Sequence, residues 1–390
     1  MDAGCYLVAH KLRNVRPHVR RNAHCERRGR HQFCDAYLTA GRLFSPGHEA
    51  YTFLIAAARK HPFVPAGHET GFDQLFPYGE PACAPIAPAS SGTVSVQQDG
   101  RYITVSGDTF LYQFNRKTGL FDSLVNRNVS LLSLPMQWNL WRAPTDNDRN
   151  IRNVWQEAGY DRTTVRVYES QGSVENGVAV ITCRLSIAAI YIQRILDIDA
   201  RWEIDANGRL DASFHCVRNS DFVFGSGVQI WPEHRGNVLS LPRFGVRLFM
   251  PETFSEVEYF GYGPMESYSD KHLASYLGRF ASRVEDQHED YIKPQENGSH
   301  FGTRDVVVSD GMTGLKATSD KPFSFSVSPF TQEELTEKKH DYELETSGYT
   351  VVCLDYKQNG IGTNSCGPLP ELQYRFDEQE FTFRLVLETE

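Results

Sequence analysis

From Thr93 to the C-terminus, apolar and polar side chains alternate with a period of two, segment after segment, and that spacing admits few folds. Ile181, Cys183, Leu185 and Ile187 alternate with Thr182, Arg184 and Ser186. Phe323, Phe325 and Val327 alternate with serines, and Phe381, Phe383, Leu385 and Leu387 share the last segment with Thr382 and Arg384. A strand sends successive side chains to opposite faces, so each segment reads as a strand with one face on a core. Asp99-Gly100, Asn176-Gly177, Asn207-Gly208, Asp310-Gly311 and Asn359-Gly360 supply turns between such strands. Strand–helix alternation is absent, which excludes a (β/α)₈ barrel here. The expected class is all-β: a large antiparallel sandwich with a few short helices and a poorly defined N-terminal segment.

Two helices interrupt the pattern. Ile151, Val154, Trp155 and Ala158 follow helical spacing, with Asp148 as the cap and Gly159 as the stop. Thr331 and Glu334 form a capping box ahead of Leu335.

Charge divides the chain unevenly. Residues 1–42 carry nine Lys/Arg against three Asp/Glu, and the remainder carries 31 against 46. The body is acidic, so nucleic-acid binding by it gains nothing from electrostatics. Residues 1–62 read as a basic, poorly defined segment: an arm, a tail, a remnant of a preceding β-sandwich, or the product of a disturbed reading frame. His24, Cys25, His31 and Cys34 lack the paired spacings of a zinc site. The apolar run Ala50–Ala57 suits a strand ending an incomplete preceding domain. Residues 63–92 read as a Pro-rich linker, with Pro77, Pro81, Pro85 and Pro88, ahead of the domain at 93–390. No apolar run reaches membrane-spanning length, and no signal-peptide core opens the chain. Eight cysteines without CxxC pairing suit a reducing compartment, and a cytoplasmic location is expected.

Four segments are dense in residues that carry chemistry. Trp141–Arg149 joins Arg142, able to grip a carboxylate with two parallel bonds, to Asp146, Asn147 and Asp148. Phe260–Asp270 alternates glycine with aromatics before Glu266, Tyr268 and Asp270. Tyr291–His300 gathers Gln295, Glu296, Asn297 and His300. Asn359–Pro368 is Gly-rich, without the Lys-Ser/Thr ending of a phosphate loop, and Cys366 in it reads as a packed, inert thiol. For the first three, a rigid loop that satisfies its own polar groups is the bland alternative, and it is the stronger one for the first and, by a smaller margin, for the second.

Together, RAPTDNDR, GPMESYSD, PQENGSHFGTR and GIGTNSCGP, in that order, closely resemble the C-terminal domain of large bacterial β-galactosidases, in some bacteria a separate small subunit. The resemblance covers roughly residues 63–390. It implies a β-supersandwich like that of galactose mutarotases, within an enzyme that hydrolyses terminal β-D-galactosides such as lactose with retention of configuration. It implies that both catalytic glutamates, with the Mg²⁺ and Na⁺ of the family, lie on parts not matched here, so that this chain holds no catalytic residue and no metal ligand. The implied partners are a β-galactoside and a large chain carrying the catalytic barrel, with an oligomer as the usual family state. The loop matching Gly360–Pro368 would form one wall of the galactoside pocket. Some relatives have a Trp where this chain has Cys366, which leaves Asn364 and Ser365 as polar substrate contacts. Arg142, Asp146, Asn147, Asp148, Glu266, Gln295, Glu296 and Asn297 would shape loops near the site.

Other readings stand beside this one. A stand-alone carbohydrate-binding module needs no turnover, and an inert gene fragment needs no site. A mutarotase-like enzyme needs a His acid and a Glu base, for which His215, His234 and Glu233 are candidates.

Overall fold

The computed structural model describes residues 71–76, 79–192, 194–219, 239–363, 366–367 and 370–390, together with the strand backbones Cys5–Tyr6, Tyr51–Ala57 and Glu69–Leu75. It divides into two units, residues 1–82 with Tyr276–Gly278, and Cys83–Ser275 with Arg279–Glu390. In the first, the three strands named above form an antiparallel sheet in chain order.

In the second, the alternating pattern folds as two antiparallel sheets. Ser95–Gln98, Tyr102–Ser106, Phe110–Asn115, Leu120–Asn126 and Val129–Ser130 make a five-stranded meander. A twelve-stranded sheet begins with the consecutive hairpins Thr163–Glu175, Val178–Ala189, Arg194–Ile204 and Leu210–Arg218. The last strand, Glu380–Thr389, pairs with Leu210–Arg218 and leads on to Gly314–Ser328 and Ser299–Ser309. Tyr349–Gln358 branches from Gly314–Ser328 and pairs with Arg243–Pro251. Phe114 and Phe121 of the meander meet at 5.3 Å, and Phe121 meets Trp202 of the large sheet at 5.0 Å. Trp202 in turn lies 5.2 Å from Phe214, all in edge-to-face or tilted pairs that favour aromatic rings in a core.

Local signals hold where local chemistry decides. Asn176 and Gly177 both have positive φ between paired strands, as a tight hairpin requires. Gly159 closes the helix Ile151–Glu157 at φ +74°, and Thr331 Oγ1 accepts from Glu334 N at 3.1 Å. The reciprocal half of that capping box is missing, because Glu334 Oε1 accepts from Glu345 N at 2.9 Å. Asn359-Gly360 turns no hairpin; it leads out of Tyr349–Gln358 into a loop. Ser324 and Ser326, expected to face water, are buried. Gln332 from the short helix Gln332–Glu337 covers Cys353, the register partner of Ser326, so this strand is enclosed on both faces.

Candidate functional site

The four dense segments come together around the backbone of residues 359–363. Arg142 is fully buried and grips Asp148 with two parallel bonds, Nε to Oδ2 at 3.1 Å and Nη2 to Oδ1 at 2.8 Å. The same guanidinium donates to the carbonyls of Asn359 and Gly360, the latter at 3.2 Å, and so fixes the start of the Gly-rich loop. Asp148 also accepts from Thr145 N at 2.9 Å and from Thr363 Oγ1 at 2.6 Å. Its four acceptor positions are thereby filled. This corrects the expected helix cap: the residue at that position is Asn150, and Asp148 turns inward because a buried arginine needs an anion more than an exposed helix end needs a cap. The helix still serves the site, since Trp155 lies under the Arg142 guanidinium at 5.2 Å and is tied down by Nε1 to Ser240 O at 2.8 Å.

A second carboxylate holds the loop from the other side. Asp270 accepts from Ile361 N at 3.0 Å and from Gly362 N at 2.8 Å. Gly360 is glycine for a steric reason, because a Cβ there would stand 2.7 Å from Asp270 Oδ2. Removing the carboxylate takes away two charge-assisted bonds, each worth about 1.5–3 kcal/mol. Asp270→Ala is therefore expected to speed amide exchange at Ile361 and Gly362, read by hydrogen–deuterium exchange, with a much smaller change in Tm. Protection unchanged at both amides would contradict the assignment.

Glu266 is anchored more completely. Its Oε1 accepts from Lys271 Nζ and Tyr291 OH, and its Oε2 from Gly298 N at 3.1 Å and Tyr268 OH at 3.2 Å. Burial is the largest single influence on the Lys271 ammonium and pulls it down, but the bonds and charges of Glu266 and Tyr291 together leave it above its ordinary value. Burial and the adjoining carboxylate push the Tyr268 phenol well up.

The Tyr291–His300 segment knits these parts together. Gln295 Oε1 accepts from Asp146 N at 2.8 Å, and Glu296 N donates to Ala143 O at 3.0 Å. Asn297 spans its own turn, accepting from Glu289 N at 3.1 Å and donating to Gln295 O at 2.9 Å. Behind them Arg243, fully buried, pairs with Glu296 at 2.6 Å and with Asp355. Burial pushes the Asp355 carboxyl up to about 6 even with that guanidinium beside it.

His300 is buried between Tyr262 O, at 3.1 Å, and the Gln287 side chain, and burial pulls its imidazole down to about 4. The unfolded chain protonates this residue near 6.5, so the stability it contributes is fully present above that pH and is lost as pH falls toward 4. The difference corresponds to about 3 kcal/mol. His300→Gln should remove that slope from the stability curve between these limits. Asp355 acts in the opposite sense over an overlapping range, so the comparison of variant with wild type is the readout; parallel curves would contradict the assignment.

Every described residue named from the sequence as loop-shaping lies in or beside this network. Asp146 and Asn147 are exposed at its edge. Of the named substrate contacts, Asn364 and Ser365 lie outside the described residues. Cys366 is exposed with a free thiol, which corrects the expectation of a packed one: it sits in the loop beyond Thr363, outside the core. Among the candidates for mutarotase-type chemistry, His215 forms an exposed pair with Glu380 at 2.8 Å on the polar face of the sheet, and Glu233 and His234 lie outside the described residues. Sequence reading missed Arg243, Asp355 and Thr363 as contributors, and it quoted Asp270 in a motif without assigning it a role. Chemically, Asp148 and Glu266 are saturated as acceptors, whereas Asp270 is half-buried with acceptor capacity left over.

A family model described as Beta galactosidase small chain matches residues 106–387. A β-galactosidase of Actinobacillus pleuropneumoniae is 40% identical over 323 residues, covering 83% of this chain and 30% of that protein. A β-galactosidase of Staphylococcus xylosus is 36% identical over 296 residues, covering 75% of this chain and 28% of that one. The chain thus spans under a third of the length of these relatives. Among solved structures, a galactose 1-epimerase from Lactobacillus acidophilus matches with a TM-score of 0.42 and 10% identity, over 76% of this chain and 98% of that one.

Proposed function

The chain belongs to the β-galactosidase small-chain family, and from that premise we propose that it completes the galactoside pocket of a β-galactosidase whose catalytic glutamates reside on a barrel outside this chain. The observation that carries this reading is the double clamp on residues 359–363, held by Arg142 on one side and Asp270 on the other. A loop held by a buried arginine and two charge-assisted bonds is rigid enough to present groups to a sugar without reorganising, which is what a pocket wall must do. The saturation of Asp148 and Glu266 supports the rest of the reading. Retaining hydrolysis needs one carboxylate free to attack and another free to give and take a proton, and a carboxylate with every acceptor position filled does neither. Asn364 and Ser365 are proposed as the polar contacts to substrate, with Cys366 beside them in place of an aromatic platform. The partner is a large chain carrying the barrel, the substrate class is terminal β-D-galactosides of the lactose type, and the location is the cytoplasm. Buried cysteines are consistent with a reducing compartment: burial pushes the Cys183 thiol up to about 12 and Cys216 well up, leaving both inert.

The test is a nitrophenyl-β-galactoside assay on three samples: this chain, a related β-galactosidase truncated before this domain, and their mixture. Turnover confined to the mixture is the expected result. Turnover by this chain alone would overturn the placement of the catalytic carboxylates, and silence in all three would favour an inert fragment.

A further inference from the structure

We propose that His288, Asp290 and Asp341 form a binding site for a divalent first-row metal ion, with Mn²⁺ or Zn²⁺ as the class of ligand. Each offers one donor atom, and the three atoms lie within 4.8 Å of one another. His288 Nε2 stands 3.5 Å from Asp341 Oδ1 and 3.9 Å from Asp290 Oδ1. Both separations are too long for good hydrogen bonds and close to the spacing between neighbouring ligands of one ion, whose bonds to each would be about 2.0–2.2 Å.

The imidazole itself is the second, independent observation. Its side chain is only 9% exposed, yet neither Nδ1 nor Nε2 has a hydrogen-bond partner among the described residues. A buried ring nitrogen without a partner is uncommon, and Nε2 points at two carboxylates. Phe330 packs against the ring at 4.8 Å and holds that orientation. An ion there would satisfy Nε2 and neutralise two acidic groups in one step. One imidazole with two carboxylates favours Mn²⁺ or Zn²⁺ over Ca²⁺ and Mg²⁺, which prefer all-oxygen sets, and three protein donors leave positions for water.

The site would act as a staple. Asp341 N already donates to Ile292 O at 3.1 Å, so the segment before Pro294 and the turn after the helix Gln332–Glu337 touch at this point. A shared ion would lock together two segments that lie about 50 residues apart, and an ion that binds only the folded chain stabilises it by mass action. The sequence gives no hint of it, since the third ligand is remote from the first two. The inference does not rest on the galactosidase reading.

Mn²⁺ alone is the probe, titrated calorimetrically into the full chain and into the Asp290→Asn/Asp341→Asn double variant. Both aspartates are at least partly exposed, so the variant should fold, which unchanged circular dichroism would verify. Wild type is expected to bind one more equivalent than the variant and to gain Tm with Mn²⁺ where the variant does not. Paramagnetic broadening of the His288 ring protons should accompany binding in the wild type. Equal stoichiometry in the two proteins, or a His288 signal indifferent to Mn²⁺, would overturn the proposal.

Discussion

Replacing Arg243 by methionine is expected to cost about 3–5 kcal/mol of stability, among the largest effects of any single substitution in this chain. The methionine fills much of the same volume, so the loss comes from charge. Arg243 is the cation shared by Asp355, fully buried, and Glu296, nearly so. Without it two carboxylates remain in a medium that solvates them poorly. The loss should also depend on pH in a definite sense. The Asp355 carboxyl already lies at about 6 with the arginine present, above its ordinary value, so the native state holds this proton longer than the unfolded chain does. Removing the cation raises it further, so the deficit of Arg243→Met should be greatest above that raised value, shrink as pH falls toward 6, and level off below it. Urea unfolding at pH 7 and pH 5 measures both. A deficit under about 1 kcal/mol at pH 7, or one that grows on acidification, would contradict this account.

The second large effect is expected at Arg142. Arg142→Ala strips Asp148 of its counter-ion, releases the carbonyls of Asn359 and Gly360, and leaves a void beside Trp155. A buried pair broken from one side again costs about 3–5 kcal/mol. Arg142→Lys separates the contributions, because lysine keeps the charge and loses the planar fork that reaches a carboxylate and two carbonyls at once. It should recover part of the stability and little of the loop's order. Urea unfolding reads the first, and exchange protection at Gly360 and Ile361 reads the second. Full recovery of both by lysine would show that charge alone, and not fork geometry, holds the loop.

These two arginines mark where sequence reasoning stops. The sheet was legible because strand periodicity and hairpin turns are local: Asn176-Gly177 needs positive φ whatever surrounds it, and both residues have it. The four motifs were legible as a set, and they do converge. Which side chain meets which was not. Arg243 and Asp355 lie 112 residues apart, and Asp270 and Ile361 lie 91 apart. No pattern along the chain distinguishes such a pair from two unrelated charges. Asp148 shows the same limit at short range. Its place before a helix suits a cap, and six residues after Arg142 it suits an ion pair just as well. Burial decides between the two, and burial is a property of the fold. Ser324 and Ser326 mislead in another way: serine faces water in most strands, but the short helix Gln332–Glu337 that follows this strand covers this part of the sheet.

The central claim is that the loop after Asn359 forms a wall of the galactoside pocket and that Asp270 holds it in place. The most direct test is KM and kcat for nitrophenyl-β-galactoside in the reconstituted enzyme, with wild-type chain and with Asp270→Ala at saturating concentrations of chain. A misplaced pocket wall should raise KM about tenfold or more while assembly with the large chain persists. An unchanged KM and kcat, with the loop's amides shown to be released, would mean that this loop is no part of the pocket.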